Sequence, residues 1–152
     1  MKYKKFDKLD FKKFHPSGSL GAQLKTVEDI MITGKKIPFV DENSKIEKVI
    51  KLINLKKLGV AIIRNQKKQT TGIFTDGDIK RTIQKNNNLK NQKIKSYMTK
   101  NPISINKDVL AANALGLMNE KKITTLCVHK DNNKKKTLGV LHIHTLLNAD
   151  IS

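Results

Sequence analysis

Thr75, Asp76 and Asp78 are the residues whose types and spacing come nearest to chemistry in this sequence. They close a short apolar run, Gly72-Ile73-Phe74-Thr75-Asp76-Gly77-Asp78-Ile79, that reads as a strand feeding straight into a helix. At the head of that helix Thr75 can accept a hydrogen bond from a free backbone N–H. The first-turn N–H groups, the backbone near Gly77 among them, form a small positive site suited to a phosphate or sugar oxygen. Asp78, one turn inside, can accept hydrogen bonds from a ribose diol. The same residues also fit a structural role, with Thr75 an ordinary cap and Asp76 and Asp78 complementing the helix dipole.

The elements that must position this motif occur twice. Val27-Glu28-Asp29-Ile30-Met31 is echoed by Ile94-Lys95-Ser96-Tyr97-Met98, and Gly72-Ile73-Phe74 by Gly139-Val140-Leu141, both at an offset of 67 (98 − 31 and 139 − 72). Pro38-Phe39-Val40 answers to Pro102-Ile103-Ser104-Ile105 at an offset of 64 (102 − 38), which predicts a three-residue insertion in the first copy around Gly34-Lys35-Lys36. Internal repetition of this kind dictates the fold before any single element does.

Within the first copy, Thr26 and Asp29 resemble a capping box opening a short helix through Met31. Ile37-Pro38-Phe39-Val40 reads as a strand with an early proline. Ser44 and Glu47 suggest a second capping box, followed by Ile46, Val49, Ile50 and Ile53 at helical spacing and an end near Lys57. Gly59-Val60-Ala61-Ile62-Ile63 is a β-branched buried strand, and the strand carrying the motif follows a polar turn. The order is strand, helix, strand, strand, helix. The second copy repeats it, with a helical face of Leu110, Ala114, Leu117 and Met118 and the strands Thr125-Leu126-Cys127-Val128 and Thr137-Leu138-Gly139-Val140-Leu141. There His142 replaces Thr75 and Thr145 replaces Asp78. His142 and His144 alternate, so a strand that persists through them puts both on one face, able to ligate a metal or an anion. Two ligands are too few to define a metal site, and no metal is expected.

Composition bounds the rest. The net charge of +18 draws the chain toward polyanions, yet it is almost all lysine, with Arg64 and Arg81 the two arginines, no tryptophan and 5% aromatics. That predicts a solvated lysine-rich surface rather than a reader of nucleic acid. No apolar run approaches the ~20 residues of a membrane span, and the start Met1-Lys2-Tyr3-Lys4-Lys5 leads into no signal-peptide core, so a cytoplasmic protein without membrane partners is expected. The single cysteine, Cys127, stands in an apolar run as a packing residue.

From about residue 25 to 150 the chain resembles a tandem cystathionine-β-synthase-type (CBS) domain pair. The resemblance rests on the two Met-terminated helices, the paired strands and Gly72-Ile73-Phe74-Thr75-Asp76-Gly77-Asp78. It implies an α/β (α+β) fold of two βαββα units, 26–85 and 93–150, about a pseudo-twofold axis. It also implies a ligand between the units, with the motif's Thr and Asp on ribose and phosphate and Ile37, Lys57, Val60, Thr124, His142 and His144 as candidates for the wall.

A narrower resemblance adds Phe14-His15-Pro16-Ser17-Gly18-Ser19-Leu20-Gly21 and Leu138-Gly139-Val140-Leu141-His142-Ile143-His144. These look like the arabinose-5-phosphate isomerase family, which joins a sugar isomerase (SIS) domain to a CBS pair and makes the precursor of the acidic sugar Kdo. The family often has an acidic residue after the second histidine, where this chain has Thr145. The resemblance implies that residues 1–25 are the tail of the SIS domain and that His15 matches a catalytic histidine working only in the full isomerase. It further implies that this chain alone is no enzyme and needs no cofactor, and that its regulatory ligand is an AMP- or ATP-like nucleotide or CMP-Kdo. Self-association is implied too, as a homodimer here and a homotetramer in the parent. The alternative is a ligand-free dimerisation scaffold.

Overall fold

The computed structural model describes residues 20–152, so His15 and the rest of the predicted tail through Ser19 lie outside the described residues. Helices α1 (Leu20–Gln23) and α2 (Val27–Ile30) and a 3-10 turn (Gly34–Lys36) lead into the first unit. That unit runs β1 (Phe39–Asp41), α3 (Ile46–Lys56), β2 (Val60–Arg64), β3 (Thr70–Thr75) and α4 (Asp76–Lys85). A second 3-10 turn (Ile94–Ser96) and β4 (Thr99–Lys100) precede the second unit: β5 (Ser104–Asn106), α5 (Ala111–Lys121), β6 (Thr125–His129), β7 (Gly139–His142) and α6 (Ile143–Asn148). The βαββα order expected from the repeat is present in both.

Each unit begins with a parallel pair, β1 with β2 and β5 with β6, and a parallel pair needs a crossover that α3 or α5 supplies. A hairpin then adds β3 or β7 antiparallel, giving sheets ordered β1-β2-β3-β4 and β5-β6-β7. Helix α3 buries Ile46, Val49 and Ile53 and stops at Lys57, which takes a left-handed conformation at φ 59°. Its counterpart α5 stops the same way at Lys122, φ 56°.

Alternation along the buried strands sorts side chains into three cores. Ala61, Ile63 and Phe74 pack under α3, while Leu126, Val128 and Leu141 pack under α5. Val60 and Ile62 turn the other way and meet Cys127 and Val140 between the two sheets. Burial pushes the Cys127 thiol up to about 12, so it is a packing residue without thiolate chemistry.

The units interlock. Val27, ahead of the first unit, is buried in the second unit's core, and Ile94, ahead of the second, is buried in the first unit's core. Ile32 bridges to Val140 as β4 pairs with β3 at Ile73. Burying one such aliphatic side chain contributes roughly 1.5–3 kcal/mol, so neither half closes its core alone.

Three local expectations change. The registers Phe39 to Ile62 and Ser104 to Cys127 align the parallel pairs at an offset of 65 (104 − 39), not 64. The first copy therefore carries two extra residues before β1, at the Gly34–Lys36 turn, rather than three. Lys45, not Ser44, is the N-cap of α3 and makes no side-chain cap bond. The Ile46 N–H instead donates to the Gln92 carbonyl at 2.9 Å, and Glu47 accepts from the Asn91 N–H at 3.1 Å. Finally, the echo of α2 before the second unit is the 3-10 turn Ile94–Ser96, not a helix reaching Met98.

Candidate functional site

Strand β3 delivers Thr75 to the head of α4, where a reciprocal cap forms. Thr75 Oγ1 accepts from the Asp78 N–H at 3.2 Å, while Asp78 Oδ2 accepts from Thr75 N–H and Oγ1 at 3.0 Å each. The same helix start is tied to the turn before β2 by the Asp76 N–H donating to the Gly59 carbonyl at 2.9 Å. Glycine suits this turn: Gly59 has φ +69°, and a Cβ there would come 2.8 Å from Asp76 Oδ2, which would have to move aside. Asp78 is further held by Arg81, whose Nη2 lies 2.7 Å from Oδ1.

This helix head opens into a cleft of about 550 Å³ lined by both units. From the first unit come Thr75, Asp76, Gly77, Asp78 and Arg81, together with Leu58, Gly59 and Ile73; Thr99 of β4 joins them. Asn101, Pro102, Ile103, Lys122, Ile123, Thr124, Thr125, His142 and His144 complete the wall. The expected residues Thr75, Asp76, Gly77, Asp78, Thr124, His142 and His144 are thus brought together.

Ile37, Lys57 and Val60 are not in this wall. Ile37 and Val60 are buried between the sheets, and Lys57 sits exposed at the end of α3. Their counterparts at the 65-residue offset, Pro102, Lys122 and Thr125, line the cleft instead. The cleft's lining is not symmetric between the two units. The counterparts of Asp76, Asp78 and Arg81 at the 67-residue offset are Ile143, Thr145 and Asn148, and none of them lines the cleft. On the unlined side Pro38 is buried, whereas its counterpart Ile103 is 41% exposed.

The histidines arrive by a different route from the alternating strand expected. β7 ends at His142, which caps α6 by accepting the His144 N–H on Nδ1 at 3.1 Å. The two rings stack with centroids 4.9 Å apart. Burial, and then the neighbouring His144, hold the His142 pKa below its ordinary value. Among the described residues no group of three or more His, Cys, Asp or Glu side chains is placed to hold a metal ion. Sequence reasoning missed Arg81 and Lys122. An i, i+3 carboxylate–guanidinium spacing was the signal for the first; symmetry with Lys57 was the signal for the second.

Two interlocked βαββα units around a shared cleft define a tandem pair of small α/β domains. The CBS domain model matches residues 27–85 and 94–152, and the chain belongs to the CBS domain family. Arabinose 5-phosphate isomerase KdsD of Yersinia pestis is 36% identical over 152 residues, 99% of this chain and 45% of the relative. An uncharacterised protein, RP505 of Rickettsia prowazekii, is 38% identical over 147 residues, 97% of this chain and 44% of the relative. The chain spans less than half the length of these relatives, and the matched portion of KdsD is its C-terminal part. The fold is that of the CBS pair of protein MJ0100, solved with 5′-methylthioadenosine and S-adenosylmethionine, at TM-score 0.71 and 20% identity, covering 82% of this chain and 94% of that one. It is also that of CBSX2 solved with AMP, at TM-score 0.68, 20% identity and the same two coverages. No helix among the described residues is long and apolar enough to cross a membrane.

Proposed function

We propose that the cleft binds a nucleotide or nucleotide-sugar and that its occupancy regulates a sugar isomerase domain in a longer arabinose-5-phosphate isomerase. The observation that carries this reading is the Thr75–Asp78 cap opening into a cleft walled by both units. Ribose hydroxyls would meet Asp78 and Thr75, and a phosphate the backbone near Gly77. A ligand touching both units favours one arrangement of the pair over another, which is how binding energy reaches an attached domain. The adenosine compounds in the MJ0100 and CBSX2 structures and the kinship with KdsD support the ligand class. CMP-Kdo, an activated form of the acidic sugar made from arabinose 5-phosphate, is the feedback candidate. His15 would serve the isomerase domain's active site.

Thermal melts of this chain with AMP, ADP, ATP, CMP, CMP-Kdo and arabinose 5-phosphate, at low and high salt, test the reading. A selective, salt-tolerant rise for one nucleotide supports it. A folded chain that none of them stabilises favours the scaffold reading. That second reading has its own observation, since Leu55, Ile83 and Leu147 on α3, α4 and α6 are 74%, 55% and 52% exposed. Apolar residues set out on helices are suited to a homodimer, and sedimentation of the chain measures it.

A further inference from the structure

We infer that Arg81 selects phosphorylated over unphosphorylated nucleosides by changing partners, from Asp78 to the ligand's phosphate. The inference rests on the nucleotide reading and adds to it a residue that decides what the cleft accepts.

Asp78 is nearly saturated. A carboxylate offers about four acceptor sites, and three donors already reach this one: Thr75 N–H, Thr75 Oγ1 and Arg81 Nη2. A ribose diol brings two hydroxyl donors, so it cannot seat on Asp78 without displacing a bond. The bonds to Oδ2 belong to the cap that holds the start of α4. The bond to Oδ1 belongs to Arg81, whose side chain is 64% exposed while that of Asp78 is 15% exposed. Arg81 is therefore the partner free to leave.

Its position says where it goes. The guanidinium lies across the first turn of α4, with Nη2 and Nη1 3.4 and 3.5 Å from where a Gly77 Cβ would stand. A phosphate directed to the backbone near Gly77 meets the guanidinium there, and an arginine fork pairs with phosphate through two parallel bonds. The exchange then balances: Asp78 trades a guanidinium for a diol, and Arg81 trades a carboxylate for a phosphate. A nucleoside offers Arg81 nothing and must break the Arg81–Asp78 pair uncompensated. Arg64, the chain's other arginine, stands 3.6 Å over the Phe39 ring and does not line the cleft.

Isothermal titration of the wild type and of Arg81→Ala with AMP and adenosine, and with CMP and cytidine, tests this. The wild type is expected to prefer a nucleotide over its nucleoside by about tenfold or more, the factor one charge-assisted pair supplies. In Arg81→Ala the nucleotide weakens while the nucleoside binds as tightly as before or tighter, because Asp78 is released. Arg81→Lys, a point charge without the fork, should restore part of the preference. Equal binding of nucleotide and nucleoside by the wild type overturns the inference and leaves the nucleotide reading standing. So does an equal loss of both in Arg81→Ala, which marks a merely structural residue. Failure of every nucleotide and nucleoside to bind the folded wild type overturns both.

Discussion

The thioether of Met98 lies in the space that a side chain on Gly72 would occupy, and the Thr99 carbonyl oxygen is 2.9 Å from that same point. Met31 and the Ile32 carbonyl crowd Gly139 in the same way across the pseudo-twofold axis. Each glycine belongs to one unit and each methionine precedes the other, so the interlock depends on two positions with no Cβ. Methionine can shift, but a backbone carbonyl at that distance cannot. Gly72→Ala and Gly139→Ala should each lose about 1–3 kcal/mol, the range for overpacking a close-packed contact. Urea melts of the two variants check this, and stability unchanged in both would show that the β-bridges relax around a methyl group.

Asp78 has two duties that separate by substitution. As the reciprocal partner of the Thr75 cap it supports α4, and as the acceptor facing the cleft it is the proposed ribose contact. Asp78→Ala should cost ~1 kcal/mol of stability through the lost cap and weaken a ribose-bearing ligand by ~1–3 kcal/mol. Asp78→Asn keeps an acceptor oxygen toward Thr75 but loses the charge that holds Arg81. It should recover much of the stability and little of the affinity. Calorimetry of folding and of AMP binding on both variants makes the comparison. Wild-type affinity in Asp78→Ala would remove this carboxylate from the site.

Stability should fall on mild acidification. Burial first, and then a neighbouring charge, depress His142 and His129 below 6.5, with His144 the neighbour of the first and Lys134 of the second. In the unfolded chain both return to about 6.5. Between the folded and unfolded values the unfolded chain binds more protons, so stability is complete above about 6.5 and declines as the pH drops below it. The decline levels off beneath the folded values. Protonation at Nδ1 would also remove the acceptor with which His142 caps α6. Melting temperatures between pH 8 and pH 5 should fall with acid, and His142→Asn should flatten part of that slope. An identical slope in the variant would assign the effect to other groups.

Local chemistry was legible in the sequence, and the choice of side was not. The Thr75–Asp78 and Thr26–Asp29 pairs are three residues apart, and a side chain reaching its own helix start needs no tertiary partner. The buried stripe Ile46, Val49 and Ile53 follows equally from spacing. The head of α3 did not, because the donor left by Lys45 is met by Gln92, far along the chain. His142 misled because alternation continues through a strand end, and only the turn into α6 shows an imidazole acting as a cap. For the cleft wall, two units with the same order of elements offer each position twice. Ile37, Lys57 and Val60 do not line the cleft, whereas Pro102, Lys122 and Thr125, their counterparts in the second unit, do.

That one-sidedness predicts how many ligands bind. The segment from Ile32 to β1 is two residues longer than its counterpart from Thr99 to β5, and its turn is pinned by Lys56 Nζ donating to the Lys35 carbonyl at 2.6 Å. Ile37 and Pro38, which would line a twin cleft, follow that turn directly and are buried. The side facing them has Ile143 and Thr145 where the open side has Asp76 and Asp78. Titration of the wild type with AMP should therefore give one site per chain. Deleting Lys35 and Lys36 equalises the two segments and should expose the twin position without adding a ribose site, because no carboxylate stands there. Adding Ile143→Asp and Thr145→Asp to the deletion supplies the carboxylates, and the stoichiometry should rise toward two. Two equivalent sites in the wild type would mean that the longer turn leaves the twin cleft open. A variant that stays folded yet binds one equivalent would place the restriction in the cores rather than in the turn.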